Sequence, residues 1–378
     1  MTWSIAFRCF DHKNLQENLQ LENFKVEIEG LLRFRAPEYV HLLDDLPDYM
    51  LLHLHASLEH WKRYLNKRLF LQKRFRRTKI LEYFSFWNGY LTAGGKFPSS
   101  SIRINLPITK RRNIIKRTQK DRIFSVIPIG SDSFKIYHIL CTTLSILEHD
   151  PRISKVYCIY DGVNPCKKLP SDFSKVETIF IKKRSGPAKA RNRGLTAGFD
   201  KGYSDVLLID SDVILTSFRL DQFISDYGAC HMAMSCPLIV ASAKTWFDNF
   251  HNITGTLNGR YLNSSDQKKL LFGTTSCMFV SHAVYDSGIL FSPDYPEAAG
   301  EDIDFCLKIL QAGLGINASD SVSVFHWYGY SENAACNLAI FKRRFERYGR
   351  GEWRVLLNHP YYHTLVNESY ERSSLKNT

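Results

Sequence analysis

The run VLLIDSDVI at residues 206–214 constrains this chain more than any other stretch. Val206, Leu207, Leu208 and Ile209 follow one another with no polar alternation, so the strand they predict is buried on both faces. That is the pattern of a strand in a parallel sheet sandwiched between helices. The run then closes on Asp210 and Asp212 with one serine between them. In open α/β sheets ligands gather outside the carboxyl ends of the strands. Two carboxylates there suit a hard divalent cation and the phosphates it carries. A plain turn uses the same residue types, so the motif has to be weighed with its surroundings.

Those surroundings have the rhythm of crossover units. Residues 123–130, IFSVIPIG, predict a strand ending in a Pro/Gly loop, and residues 134–148 carry helical apolar spacing. Residues 155–160, KVYCIY, predict a second strand closing on Asp161 and Gly162; TIFI at 178–181 predicts a third. SGPAKARNRGL at 185–195 follows, then the run of the opening paragraph. Strand, helix, strand, loop, strand, helix, strand predicts a mostly parallel sheet flanked by helices. In the SGPAKARN segment, Ser185 or Gly186 can cap a helix with Pro187 in its first turn.

The 378 residues suffice for one large domain or two, and the formal charge of +12 is unevenly placed. Residues 1–122 hold 23 Lys/Arg against 12 Asp/Glu, whereas the remainder holds 27 against 26. A near-neutral body with a basic forepart follows, which disfavours a uniformly basic nucleic-acid binder. The expected division is a helical N-terminal region of unassigned function (1–94), a basic Gly/Pro/Ser-punctuated linker (95–121), an α/β domain (122–350) and a tail (351–378). Residues 61–79 are strongly cationic, with Tyr64, Leu65, Leu69 and Phe75 partly at helical spacing. An anionic bilayer surface and a solvated face packed on its neighbour both fit that pattern.

Nine cysteines stand singly without a C-x-x-C pair, which argues for reduced thiols rather than a disulfide framework. There is no leader pattern and no long apolar run. The expected location is cytoplasmic, with peripheral contact at the inner membrane face as its variant. The Asn-x-Ser/Thr triplets at Asn252, Asn263, Asn317 and Asn367 then carry no glycosylation meaning.

Six motifs in order make residues 122–350 resemble the nucleotide-sugar glycosyltransferases of the GT-A fold, family 2 in particular. They are the strand with Ser125-Val-Ile-Pro, the strand end at Asp161-Gly162, GPAKARNRG at 186–194, Asp210-Ser-Asp212, GEDIDFCLKILQAG at 300–313 and VFHWYGYS at 324–331. The resemblance implies a Rossmann-like, mostly parallel sheet and a metal-dependent, inverting, non-processive transfer from a nucleoside diphosphate sugar to an acceptor hydroxyl. It implies Mn²⁺ or Mg²⁺ as cofactor, with Asp212 as ligand, Asp210 on the ribose or on the ion through water, and His326 as a further ligand or a core histidine. Asp161 is implied to accept from the base or ribose. Arg191 and Asn192, with Lys189 beside them, are implied to shape the nucleotide pocket; a structural ion pair to a neighbouring aspartate is the competing role for Arg191.

Asp302 is implied as the base that takes the acceptor proton, with Glu301 beside it and Asp304 one step along the helix start. Any of these acids also suits a helix N-terminus on electrostatic grounds alone. The stretch 273–280, GTTSCMFV, resembles the small-residue strand along which sugars lie; Gly273 would permit close approach and Thr274, Thr275 and Ser276 would meet hydroxyls. Trp327 and Tyr328 fit either sugar stacking or core packing. The Gln-x-x-Arg-Trp signature of processive synthases is absent, and the usual acid after the first strand is replaced by Gly130-Ser-Asp-Ser133. The acceptor class (glycan, lipid or small molecule) stays open. The rivals are a sugar-nucleotide nucleotidyltransferase and a non-catalytic membrane- or nucleic-acid-binding module on a degenerate transferase fold.

Overall fold

The computed structural model describes residues 21–65, 69–97, 122–131, 133–241, 250, 252, 260–261, 270–295, 298–327 and 338–366. In chain order the first elements are α1 (Leu21–Arg35), a 3-10 turn (Pro37–Tyr39), α2 (Val40–Asp45), α3 (Asp48–Tyr64) and α4 (Leu69–Thr92). Then come β1 (Ile123–Ile129), α5 (Phe134–His149), β2 (Ile153–Asp161), β3 (Val176–Ile181), α6 (Pro187–Phe199), β4 (Asp205–Ile209), β5 (Val213–Ile214) and α7 (Ser217–Cys230). The last are β6 (Met234–Ala241), β7 (Arg260–Tyr261), β8 (Leu270–Phe272), β9 (Cys277–Ser281), α8 (His282–Asp286), α9 (Glu301–Gln311), β10 (Ile316–His326) and α10 (Leu338–Asn358). They form two compact units, residues 1–105 with 336–370 and residues 106–335 with 371–378.

The α/β unit is built on an eight-stranded sheet of order β3-β2-β1-β4-β9-β6-β10-β5. β3, β2, β1 and β4 are mutually parallel, as are β6 and β10; β9 and β5 run against their neighbours. The expected mostly parallel sheet is therefore present, with two antiparallel members. Alternation along β1 shows why its residues are apolar on both faces, apart from Ser125, whose hydroxyl donates to the Leu207 carbonyl at 2.9 Å. Ile123, Ile127 and Ile129 join Leu140, Leu144 and Leu147 of α5 and Leu220, Phe223 and Tyr227 of α7 in one core. Phe124 and Val126 face α6, where a Cβ on Gly198 would lie 2.1 Å from Phe124 Cε2 and one on Gly194 2.3 Å from Val126 Cγ1. The two glycines let α6 lie directly on the strand. All five residues of β4 are buried, and burying each aliphatic side chain contributes about 2 kcal/mol.

The stretch 273–280 differs from the single strand expected of it. Residues 275–276 form a turn and β9 starts only at Cys277. Its direction is antiparallel to β4.

In the helical unit α10 packs along α4. A Cβ on Gly89 would fall 2.0 Å from the Glu346 carbonyl oxygen, and one on Gly349 2.0 Å from that of Phe86, so the two backbones touch. Glu346 accepts hydrogen bonds from Tyr39 Oη (2.7 Å) and Asn88 Nδ2 (2.8 Å). Residues 338–350, read from sequence as the end of the α/β domain, and the start of the 351–378 tail thus belong to a helix of the other unit. An amphipathic helix records only that it has a partner, not which one. Most of the linker expected at 95–121 lies outside the described residues.

The cationic segment 61–79 also differs from the face drawn for it. Trp61 and Phe75 are core residues with ring centroids 5.4 Å apart, and Lys79 is buried against Glu82 at 3.0 Å. Among the described residues no helix is long and apolar enough to cross a membrane, and Cys141, Cys158, Cys166, Cys230, Cys236, Cys277 and Cys306 are free thiols.

Candidate active site

Four segments converge where β4 runs out. The Asp210 amide donates to the Ser276 carbonyl at 2.9 Å, one bond beyond the β4–β9 ladder, and the Val213 amide donates back to the Asp210 carbonyl at 3.1 Å. This turn presents Asp210 and Asp212 at the strand end. β5 then pairs with the last residues of β10, His326 opposite Val213, and the Trp327 amide donates to the Asp212 carbonyl at 2.9 Å. His326 Nε2 consequently lies 3.0 Å from Asp212 Oδ1.

One ligand atom from each of Asp210, Asp212 and His326 falls within 4.8 Å of the others. Two carboxylates and an imidazole fit a divalent cation that accepts both oxygen and nitrogen, with further positions left for water or phosphate. Both aspartates are partly open, their side chains 23% and 16% exposed. His326 is buried.

Arg191 sits behind this group. On α6 it shares the sheet-facing stripe with Gly194 and Gly198 (i, i+3, i+7), so its side chain is driven inward. Its guanidinium donates to Asp210 Oδ1 at 2.8 Å through Nη2 and to Glu301 Oε1 at 3.2 Å through Nη1, with the Phe291 ring centroid 5.6 Å away. Burial lowers the pKa of the guanidinium, but the charges of Asp210, Glu301 and Asp302 more than reverse this and leave it raised. The ion pair weighed as the competing role for Arg191 is the arrangement present, doubled across both acidic motifs.

Glu301 and Asp302 open α9 behind Gly300, whose φ of 91° favours a residue without a side chain. Glu301 is buried, and Asp302 keeps some accessible surface while being surrounded by protein. Burial first, then the charge of Glu301, push the Asp302 carboxyl up to about 7, against the Ile303 amide and Arg191, which pull it down. Asp304 is fully buried and pairs with Lys308 at 2.7 Å.

Three residues expected to touch a donor have protein partners instead. Asp161 is buried at the end of β2, where its carboxylate accepts from the Ser185 amide and Oγ (2.7 Å each) and from the Gly186 amide (2.8 Å). It fastens the loop that starts α6 and has little surface left for a base or ribose. Asn192 clasps the Phe291 main chain, Nδ2 to the carbonyl at 2.8 Å and Oδ1 from the amide at 3.0 Å. Gly273 is bare because Cys236 is close: a Cβ there would lie 2.3 Å from its Sγ. Thr275 is buried, the Ser276 carbonyl is taken by Asp210, and Lys189 is exposed. Tyr328 lies outside the described residues.

Phe291 is the site residue that sequence reasoning missed. It stacks on Phe305 of α9 with centroids 4.0 Å apart and joins α6 to α9 through Asn192. Nothing in the local pattern of residues 289–295 marks it.

The sequence matches no protein-family profile and no curated protein. Among solved structures the chain is similar to S. aureus TarS 1–349 (15% identity, TM-score 0.40, 54% of this chain and 60% of that one). It is also similar to GalNAc-T7 with UDP, GalNAc and Mn²⁺ (13% identity, TM-score 0.42, 55% and 44%), and to TarS 1–349 with UDP-GlcNAc (16% identity, TM-score 0.38, 54% and 58%). Each similarity spans less than two thirds of the other chain. Likeness at this level leaves function to be argued from the chain's own residues.

Proposed function

We propose that the α/β unit is a metal-dependent, inverting glycosyltransferase of the GT-A type, which moves one sugar from a nucleoside diphosphate to an acceptor hydroxyl. The observation that carries the reading is the Arg191 guanidinium, bonded at once to the strand-end acid Asp210 and to Glu301 at the start of α9. It brings a cation-binding set and a carboxylate pair into one neighbourhood, which are the two groups of residues this reaction needs.

Asp210, Asp212 and His326 would hold a divalent cation, whose chemistry here is to offset charge on the departing diphosphate. Imidazole in the set favours Mn²⁺ over Mg²⁺. Asp302, poised near neutral pH, takes the acceptor proton as the hydroxyl attacks the anomeric carbon from the face opposite the diphosphate. Glu301, held by Arg191, keeps Asp302 basic through its charge. The proposed roles of Asp161, Asn192 and Gly273 are to hold the walls of the site rather than to bind the donor.

The test is nucleoside diphosphate release from a panel of UDP-, GDP- and dTDP-sugars with Mn²⁺ and simple glycoside acceptors. Donor-dependent release that vanishes in Asp212→Ala is expected. Pyrophosphate release from a nucleoside triphosphate and a sugar phosphate would instead establish a nucleotidyltransferase, and no turnover or donor binding across the panel would reject the enzyme reading.

A further inference from the structure

The helical unit carries a surface that the transfer chemistry does not use. In α4 the exposed residues Phe70, Lys73, Arg74 and Arg77 stand at i, i+3, i+4 and i+7, one stripe along a single helix face. Phe70 is 72% exposed, which is unusual for an aromatic side chain with nothing apolar to gain from water. Of the five Lys/Arg in residues 69–79, Arg76 is paired with Glu27 and Glu59 and Lys79 is buried against Glu82, which leaves Lys73, Arg74 and Arg77 as the exposed cations. At its far end this stripe reaches a pocket of about 360 Å³ between α4 and α1, lined by Leu31, Phe34, Arg35, Arg77, Ile80 and Gly30, with Glu27, whose carboxylate is paired with Arg76 at 2.7 Å, at its edge.

The chemistry of this pocket is two-sided. Leu31 and Ile80 offer apolar surface, while the Arg35 guanidinium lies 4.8 Å from the centroid of the Phe34 ring and Arg77 stands opposite on α4. Phe34 is 76% exposed. The ligand such a site fits has an anionic head for two guanidiniums and an apolar body for the space between them. A stripe of exposed aromatic and cationic residues leading away from the pocket extends the same demand over a surface, as in helices that lie on a bilayer. A nucleic-acid surface would call for the basic residues without the apolar pocket.

We propose that the α1/α4 face is the docking surface of this protein for an anionic bilayer, with a phospholipid phosphate held between Arg35 and Arg77 and its upper acyl segment against Leu31, Phe34 and Ile80. The aromatic contribution comes from Phe34 and Phe70, not from Phe75, which is core. The proposal does not depend on the glycosyltransferase reading.

Co-sedimentation of the full-length protein with phosphatidylcholine vesicles, with and without phosphatidylglycerol, tests it. Binding to the anionic vesicles, weakened by added salt, is expected. Arg35→Gln with Arg77→Gln should lower partitioning roughly 30-fold, the factor for two arginines at a charged surface. Phe34→Ser should lower it on the order of 10-fold by removing the inserted ring. Lys167→Gln with Lys168→Gln, which removes the same charge from exposed positions of the α/β unit, should change it less than about twofold. Circular dichroism melting of each variant separates a lost surface from a lost fold. Equal binding to neutral vesicles, no binding to anionic ones, or an equal loss in the Lys167/Lys168 control would overturn the proposal. So would a concentration-dependent dimer that Phe34→Ser dissociates in the absence of vesicle binding, since the face would then be covered by a second copy.

Discussion

Arg191 Nη1 reaches Glu301 Oε1 at 3.2 Å across 110 residues of sequence. The contact joins α6, the second crossover helix, to the start of α9, and the second nitrogen of the same guanidinium carries it on to Asp210. A cation buried between two acids is a poor source of net stability but an expensive one to remove.

Arg191→Ala should therefore destabilise the α/β unit, by up to about 3–5 kcal/mol, because buried Glu301 would lose its counter-charge and Asp210 would be left close to it. Urea unfolding measures this. The charge of Arg191 also holds the Asp302 pKa down, so in any variant folded enough to assay, the acid limb of the activity profile should move to higher pH. Arg191→Lys keeps the charge and loses the double contact, and should fall between the two in stability with a nearly unmoved limb.

Asp302 sets the pH dependence. Burial and then Glu301 raise its carboxyl from 3.8 to about 7, so the basic form accumulates only as pH rises through 7 and kcat should climb over that interval. Asp302→Asn should lower turnover roughly 10²-fold or more and abolish the limb while donor binding persists. Stability runs the other way. The native state holds this proton more tightly than the unfolded chain, so the stabilisation present below about 4 is lost as pH rises to 7. The melting temperature of Asp302→Asn relative to the parent should therefore be more favourable at pH 8 than at pH 4, and an offset that does not vary with pH would contradict the assignment.

The imidazole of His326 should decide which ion is preferred. His326→Ala should weaken Mn²⁺ binding by roughly 10²-fold, at least the effect of removing an outer-shell partner, and should weaken Mg²⁺ binding less, since imidazole suits the softer ion. Mn²⁺ titration followed by electron paramagnetic resonance gives the affinity without turnover. Equal losses for the two ions would return His326 to the role of a core histidine bonded to Asp212.

How far these features can be read from sequence depends on the distance to the partner. The buried strand 205–209, the acids at its end and the acids opening α9 are local patterns, and each lies where its neighbours in sequence predict. The direction of β9 is different in kind, because Cys277, Met278, Phe279 and Val280 are buried whichever way the strand runs. Asp161 finds its donors 24 residues away, Gly273 the Cys236 thiol 37 residues away and Asn192 its main-chain partner 99 residues away. A polar or small residue near a predicted site looks equally suited to a ligand or to such a contact until the packing is known. The same limit applied to Phe75 and Lys79, whose place in a cationic run gave no sign that both are buried.

The crossing of α4 and α10 offers a stability test that owes nothing to the active site. Gly89 and Gly349 lie on opposite sides of one contact, and a Cβ at either would come within 2.0 Å of a main-chain oxygen of the other helix. Main chain cannot rotate out of the way as a side chain can, so the helices must separate. Gly89→Ala and Gly349→Ala should each destabilise the helical unit by about 1–3 kcal/mol, the range for overpacking, despite the gain in helix propensity of about 1 kcal/mol from replacing glycine. One separation relieves both clashes, so the double variant should lose less than the sum of the single losses, by more than the roughly 0.5 kcal/mol scatter of independent sites. Urea unfolding followed by tryptophan fluorescence is suited to the measurement, since the ring centroids of Tyr90 and Trp353 lie 5.5 Å apart beside this crossing. A stabilised single variant would mean that the two backbones are further apart than the geometry requires.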